Sequence, residues 1–266
     1  MLISTALRFT APEGHEHPKW SKLTWIISII LVLIFISAIF IFAFTQLQYH
    51  FHWSALYKYR AKFIHGWLMT ILISIFSLLL SLFIGFFFAL GQHSRFLPFR
   101  IISKSYVELI RGTPLLVQIL IFFYVIGNAF HVNDRYVAGV LILSFFSGAY
   151  VSEVIRAGIE SIGKTQLETA RSLGFSRKDT YRFVIIPQVL KRILPSLAGQ
   201  FVSLVKDSSL LSVISVSEFT MNAQEVNSYT YSTLESYIPL AIGYFVLTFP
   251  ISMLTKHLER KFHYET

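Results

Sequence analysis

The sequence predicts an all-α integral membrane protein of about six spanning helices. Hydrophobic residues make up 54% of its 266 positions and charged residues only 14%, with 26 Phe, so too little polar surface exists to cover a water-soluble domain. Apolar stretches near the length of about 20 residues that a hydrocarbon core demands recur along the chain. Basic residues gather in every second connecting segment, the pattern of a multi-pass topology.

The stretches are Thr24–Leu47, Gly66–Gly91, Pro114–Phe130, Tyr136–Ile155, Ile193–Val216 and Tyr237–Leu258. The third is short and the fifth carries charge. The first is too long, and lacks the small-residue cleavage pattern, for a removed signal peptide, so it reads as a retained anchor. One set of segments holds Arg8, Lys19 and Lys22, then Arg95, Arg100, Lys104 and Arg111, then the run from Arg156 to Arg192, and finally Lys256, Arg260 and Lys261. The other side holds only Lys58, Arg60, Lys62 and Arg135, and its last loop carries Glu218, Glu225 and Glu235. The first set is therefore expected in the cytoplasm together with both termini. Trp25, Trp53, Trp67, Tyr136 and Tyr237 fall near span ends, where amphipathic rings sit at headgroup level. Ser144, Gly148 and Ser152, and likewise Gly85 and Ala89, recur at helical spacing and let neighbouring helices approach.

Other classes are excluded. The excess of 23 Lys and Arg over 14 Asp and Glu forms no polybasic stripe, so no nucleic-acid partner is expected. The chain has no Cys, which removes disulfides and thiolate metal sites. His15 with His17, and His50 with His52, lack supporting ligands for a metal. Gly158–Thr165 matches the phosphate-loop spacing, but no strand precedes it and Glu160 would repel a phosphate.

The cytoplasmic stretch Lys164–Pro195 is too elaborate for a simple connection. Thr165 can N-cap a short helix with Glu168 as its capping-box partner, and Gly174 supplies the left-handed residue that ends it. Ser176 with Asp179 repeats the device for a second helix, expected to stop near Ile186 because of Pro187. Leu167, Ala170 and Leu173 share a face that either enters a partner's groove or packs on the chain's own spans. Further upstream, Gly112 is expected to stop an amphipathic segment, Thr113 to N-cap the next span and Pro114 to occupy its first position.

ETARSLG followed eleven residues later by IIP resembles the coupling-loop signature of binding-protein-dependent ABC importers. Glu168, Ala170 and Gly174 take its Glu, second Ala and Gly positions. Thr169 replaces the usual first Ala, and Ile186 precedes Pro187 where Leu is usual. Gly66-Trp-Leu-Met-Thr70 resembles the start of the conserved permease domain, and Glu108-Leu-Ile-Arg-Gly-Thr-Pro-Leu-Leu-Val-Gln118, Ser147-Gly-Ala-Tyr-Val-Ser-Glu-Val-Ile-Arg-Ala-Gly158 and Lys206-Asp-Ser-Ser-Leu210 are similar to segments of the polar amino acid subfamily, the histidine and glutamine permeases. The resemblance implies a type I importer permease domain over residues 60–262 with a coupling loop at about 160–190, behind an N-terminal tail, extra helix and external loop over 1–59. It implies a pore subunit moving polar amino acids across the bacterial inner membrane by alternating access. Its implied partners are an ABC ATPase dimer carrying ATP and Mg, a second copy or sister permease, and an extracytoplasmic substrate-binding protein. The chain itself holds no cofactor or metal and performs no bond chemistry. Thr165, Glu168, Thr169, Ala170, Gly174 and Pro187 become the expected ATPase-coupling residues. The alternative is an ion-coupled secondary amino acid transporter, which should show an internal repeat around broken helices.

Lys206 and Asp207 lie inside the fifth span, where an ionised group is expensive and marks a functional route. Adjacent helical residues diverge, so the two cannot satisfy each other. Glu153 and Arg156, three apart, can pair. Glu153, Lys206, Asp207, Ser208 and Ser209 are therefore expected to line or gate a path for a zwitterion, unless the charges only fix helix register.

Overall fold

The computed structural model describes residues 21–46, 49 and 51–262; the readings of Arg8, His15, His17, Lys19 and His50 lie outside them. The chain divides into two compact units at residues 50 and 51. The first holds α1 (Lys22–Gln46), whose Ile27, Leu31, Phe35 and Phe42 are all exposed. A helix apolar around its whole circumference is what lipid solvates.

The second unit contains α2 (Ser54–Lys58), α3 (Arg60–Gln92), α4 (Leu97–Arg111), α5 (Leu115–Ile121), α6 (Arg135–Glu160), α7 (Lys164–Ser172), α8 (Arg177–Asp179), α9 (Ile186–Asp207), α10 (Phe219–Thr230) and α11 (Thr233–Phe262). A π turn over Phe122–Gly127 extends α5, another over Thr180–Ile185 joins α8 to α9, and a 3-10 segment over Ser208–Ile214 follows α9. Among the described residues, five helices are long and apolar enough to cross a membrane. A sixth span arises if α4 and α5, bent by 112°, count as one broken unit. The expected third span is thus the short second limb of that bend.

Helices α3 and α6 form the spine. Thr70, Ser74, Ser77 and Ser81 of α3 and Ser144, Ser147 and Ser152 of α6 are buried. At Gly85 an added Cβ would lie 2.4 Å from Val151 Cγ1, and at Gly148 2.7 Å from Ile84 Cγ2. The small residues therefore act as read from sequence, letting the two backbones close. Asp134 caps α6, accepting the Tyr136 and Val137 N–H groups at 2.8 Å. Ile119, Leu143 and Leu211, none more than 1% exposed, pack the core where α5, α6 and the 3-10 segment meet.

The α4–α5 corner corrects the reading of Thr113. Its hydroxyl donates backwards to Leu109 O at 2.9 Å, while Pro114 itself occupies the cap position of α5. The buried Gln118 amide closes the bend, donating to Ile110 O at 2.7 Å, Thr113 O at 3.1 Å and Thr113 Oγ1 at 2.7 Å. A sharp turn strands carbonyls that a straight helix would pair, and one carboxamide with two donors gathers them.

Pro187 does not stop the second cytoplasmic helix, contrary to expectation. The chain stays helical through it, from Arg177 to Ile214. The π turn immediately before Pro187 explains this: a widened turn relieves the clash between the proline ring and the preceding turn, and Pro sits in the first turn of α9.

Glu218, Glu225 and Glu235 do not lie in a solvated loop. Glu225 pairs with Lys62, and Glu235, 1% exposed, accepts the His52 N–H. Glu218 is fully buried and caps α10, accepting Thr220 N–H at 2.8 Å and Met221 N–H at 2.7 Å. Tyr244 of α11 donates to it at 2.9 Å, and Thr70 of α3 lies 3.5 Å away. One carboxyl thus ties three helices together. Burial pushes its pKa up to about 7, against the lowering effect of these donors. Between about pH 4.5 and 7 the folded chain holds a proton that the unfolded chain has lost, so stability falls as pH rises through that window and levels off above it. At about 1.4 kcal/mol per unit this amounts to about 3 kcal/mol. Thermal unfolding in detergent across pH 4.5–8 should show that slope in the native chain and a flattened one in Glu218→Gln.

Candidate functional site

Two polar features and one exposed corner make up the site. The corner begins where α6 ends and Gly163, with an extended backbone, starts α7. Thr165 therefore falls inside the first turn, and the expected capping box with Glu168 is not formed: no side chain caps this helix. The cause is position, since the helix starts at Lys164 and carries Thr165 past the point where a hydroxyl can cap. The C-terminus follows the sequence reading. Gly174 is left-handed with φ 78°, Phe175 N–H donates to Ala170 O at 3.0 Å, and Gly174 N–H to Arg171 O at 3.0 Å. These two bonds are a Schellman closure. Ser176 then caps α8, accepting Asp179 N–H at 3.2 Å.

The side chains of α7 do not share one outward face. Ala170 is only 4% exposed and faces its own chain, whereas Leu173 is 71% exposed. Ala170 is small because the arm running from α8 into α9 passes over it. An apolar hollow of about 360 Å³ opens there, bordered by Thr169, Ala170, Leu173, Phe175 and Val184. Thr165, Glu168, Thr169, Gly174 and Pro187 remain exposed.

The first polar feature is a cavity of about 340 Å³ between the C-terminal end of α3 and the helices α4 and α6. Lys104, Glu108, Arg111, Glu153, Arg156 and Glu160 line it. Arg156 grips Glu153 through Nε at 2.9 Å and Nη2 at 2.5 Å, and reaches Glu160 with Nη1 at 2.5 Å. Arg111 approaches Glu153 at 3.5 Å, and His93 Nε2 lies 3.7 Å from Glu160. The pairing of Glu153 with Arg156 was legible from their spacing. Lys104 and Glu108, one turn apart on α4, line the wall without an ion pair among the described residues. A cation and a carboxylate left open in a charge-balanced cavity match the two ends of a zwitterion.

The second feature is a stripe along α9. Arg192, Ser196, Gly199, Ser203 and Lys206 recur every three or four residues and are exposed or half-buried. Leu190 and Leu194 on other faces are exposed as well. A spanning helix with one polar and one apolar exposed face has lipid on one side and something wetter on the other.

The chain as a whole resembles known proteins in sequence and fold. The family of binding-protein-dependent transport system inner membrane components matches residues 81–264. The chain belongs to that family. It is 35% identical over 208 residues to the probable glutamine ABC transporter permease protein GlnM of Bacillus subtilis, covering 78% of this chain and 96% of that protein. It is 34% identical over 211 residues to the glutamine transport system permease protein GlnP of Escherichia coli K12, covering 79% and 96%. A crystal structure of an amino acid ABC transporter with histidines superimposes with a TM-score of 0.74 at 39% identity, covering 80% of this chain and all of that one. The inward-facing MetNI methionine ABC transporter, 13% identical with a TM-score of 0.59, shares the fold. The chain is thus a multi-pass inner-membrane transport component with the type I importer permease fold, and not an enzyme.

The structure separates the residues read from sequence as one path. Glu153 lines the cavity, but Lys206, Asp207, Ser208 and Ser209 stand at the junction of α9 with the 3-10 segment and not in it. Ser208 is fully buried and donates to Val205 O at 2.8 Å, so it serves that junction and lines no open surface. Asp207 and Ser209 are half-buried and Lys206 exposed. Sequence reading missed Lys104, Glu108 and Arg111 as cavity residues. Their spacing of three and four along one amphipathic helix was the available signal.

Gly174 offers a clean test of the corner, since an added Cβ meets nothing within 4 Å and only backbone conformation is at stake. Gly174→Ala should destabilise the corner by about 1–2 kcal/mol, and Gly174→Asn by less. Hydrogen exchange at the Gly174 and Phe175 amides should accelerate accordingly.

Proposed function

We propose that this chain is the pore subunit of an ATP-driven importer that moves polar amino acids, of which a glutamine-like or cationic substrate fits best, into the cell. The observation that carries the substrate class is the charge-balanced cavity, with Lys104 open to a carboxylate and Glu108 open to an ammonium. Glu153 holds the neighbouring Arg111 and Arg156 in place, and the stripe of α9 that ends at Lys206, joined by Asp207 and by Ser209 of the 3-10 segment, lines the route between cavity and outside. The names of the relatives, two glutamine permeases and an amino acid transporter with histidines, support the same class.

The exposed residues Thr165, Glu168, Thr169, Gly174 and Pro187 form the surface on which a cytoplasmic ATPase dimer pushes, with Ala170 holding α7 to the arm behind it. ATP and Mg belong to that partner. The permease domain covers residues 60–262, and 1–59 supply the tail and the additional helix. The bias of the basic segments supports a cytoplasmic location for both termini, which puts α10 on the side of an extracytoplasmic substrate-binding protein. Alternating access follows when ATPase closure drives the corner as a rigid body. The ion-coupled secondary transporter is the weaker reading, because the relatives belong to ABC systems.

Purification of the tagged chain from its native membranes in mild detergent tests the assignment. An ABC ATPase should co-purify with the native chain and be lost with Glu168→Arg; a folded chain that brings no ATPase in either form returns the question to the ion-coupled transporter. Glu153→Gln should retain the ATPase yet lower uptake about tenfold or more, as expected when a charged hydrogen-bond network loses its central acceptor. Equal loss of uptake and of assembly would reduce Glu153 to a structural role.

A further inference from the structure

Lys206 and Asp207 close α9 with opposite charges on neighbouring positions. Lys206 is exposed and Asp207 half-exposed, and neither side chain makes a hydrogen bond or salt bridge among the described residues. Successive side chains on an α-helix diverge by about 100°, so the two charges attract at a distance but form no direct salt bridge. They lie within a candidate span, where lipid is a poor solvent for either. Neither side chain has a hydrogen-bonding partner of opposite charge within the described residues, so both are open to groups outside this chain.

We propose that Lys206 and Asp207 form reciprocal ion pairs with the partner's Asp207 and the partner's Lys206 in a second copy of this chain, across a two-fold axis normal to the membrane. The proposal rests on the reading of the α9 stripe as facing the translocation route. Two copies inserted in the same orientation can be related by such an axis. Two residues of successive position then differ in depth by only about 1.5 Å, so each charge meets the other helix at nearly its own level. Their directions decide which meets which. When the bisector of Lys206 and Asp207 faces the axis, one charge lies to its left and the other to its right. A half-turn brings the partner's right-hand residue opposite the left-hand one, so Lys206 meets Asp207 on both sides and like charges are kept apart. The pattern is complementary to itself.

That bisector is occupied by residues that let the helices approach. Ser203, Gly199 and Ser196 run along it, and a Cβ added at Gly199 would touch nothing within 4 Å of its own chain. Arg192 continues the same line at the inner end. A zwitterion carries the same two charges as the pair it would have to pass, so its carboxylate can take the place of the partner's Asp207 on Lys206 and its ammonium that of the partner's Lys206 on Asp207. The double pair is then a gate released by exchange and not by desolvation of bare charges.

Because the chain has no Cys, single introduced cysteines report the interface without background. Oxidation of native membranes should cross-link Ser203→Cys into a dimer of this chain and leave Leu194→Cys, on the opposite face of α9, monomeric. Added to Ser203→Cys, either Lys206→Asp or Asp207→Lys alone should reduce the cross-link about tenfold or more, because like charges then face each other. The double exchange Lys206→Asp with Asp207→Lys should restore it to within about twofold, since the reciprocal pairs are rebuilt. The proposal is overturned if Ser203→Cys yields no dimer, if Leu194→Cys cross-links equally, if the product contains a different permease, or if the single reversals are harmless or the exchange fails to rescue. Should the reversals not accumulate in the membrane, the two cysteine variants decide alone, with the native charges intact. Cross-linking requires neither ATPase nor transport, so its failure is distinct from failure of the importer assignment, which the co-purification reads.

Discussion

Hydrocarbon offers a peptide group no partner, so every backbone donor and acceptor in a spanning segment must be satisfied by the chain itself. A straight helix meets this demand without help, and α1 does little else. The second unit departs from straightness at several places, and at each one a particular side chain or turn geometry supplies the missing partners. At the 112° bend between α4 and α5 the Gln118 amide collects Ile110 and Thr113 carbonyls. Ahead of Pro187, a π turn makes room for the ring. At the start of α10, Glu218 takes the free Thr220 and Met221 N–H groups. The bend, the arm and α10 are the parts that leave the pattern of straight spanning helices, so the cavity and the exposed corner sit near places where the backbone had to be repaired.

Local chemistry was legible where one residue decides the outcome within its own turn. Gly174 and Ser176 are cases of this: a left-handed residue and a hydroxyl before a helix have few other uses. The same reasoning misplaced Thr165 and Thr113, because a cap belongs to whichever residue the chain path leaves just outside the helix, and that path is set by the packing of α6, α4 and the arm. It also overrated Pro187, whose effect depends on the width of the turn before it. Spacing identified the face containing Leu167 and Ala170 but could not say that this face looks inward. The order of spans followed from composition, since lipid demands a minimum apolar length of each, while the count of six holds only if the bent α4–α5 pair is one span.

The cavity was not legible because it is assembled from afar. Lys104 and Glu108 come from a helix that reads as a cytoplasmic connection, Glu153 and Glu160 from the end of a span, and His93 from the end of another. Only the close approach of α3 and α6, permitted by Gly85 and Gly148, brings these ends together. The sequence nonetheless contained the pair Glu153 and Arg156, and those two prove to be its centre. In the same way Lys206 and Asp207 were conspicuous as charges without partners, while the small residues that run between their directions carried no mark of their own.

The π turn over Thr180–Ile185 stores one residue of slack in the arm that leads from the exposed corner into α9. Drawn tight into an ordinary α turn, it would rotate everything beyond it by about 100°, the angle between one helical residue and the next. That is also the angle separating Lys206 from Asp207 about the axis of α9. The phase of a polar face deep in the membrane is therefore written at the water's edge, in a turn beside the surface where a cytoplasmic motor would press. A winding change of a single residue there is equivalent to a key turning in a lock, with no need for the helix to slide or tilt.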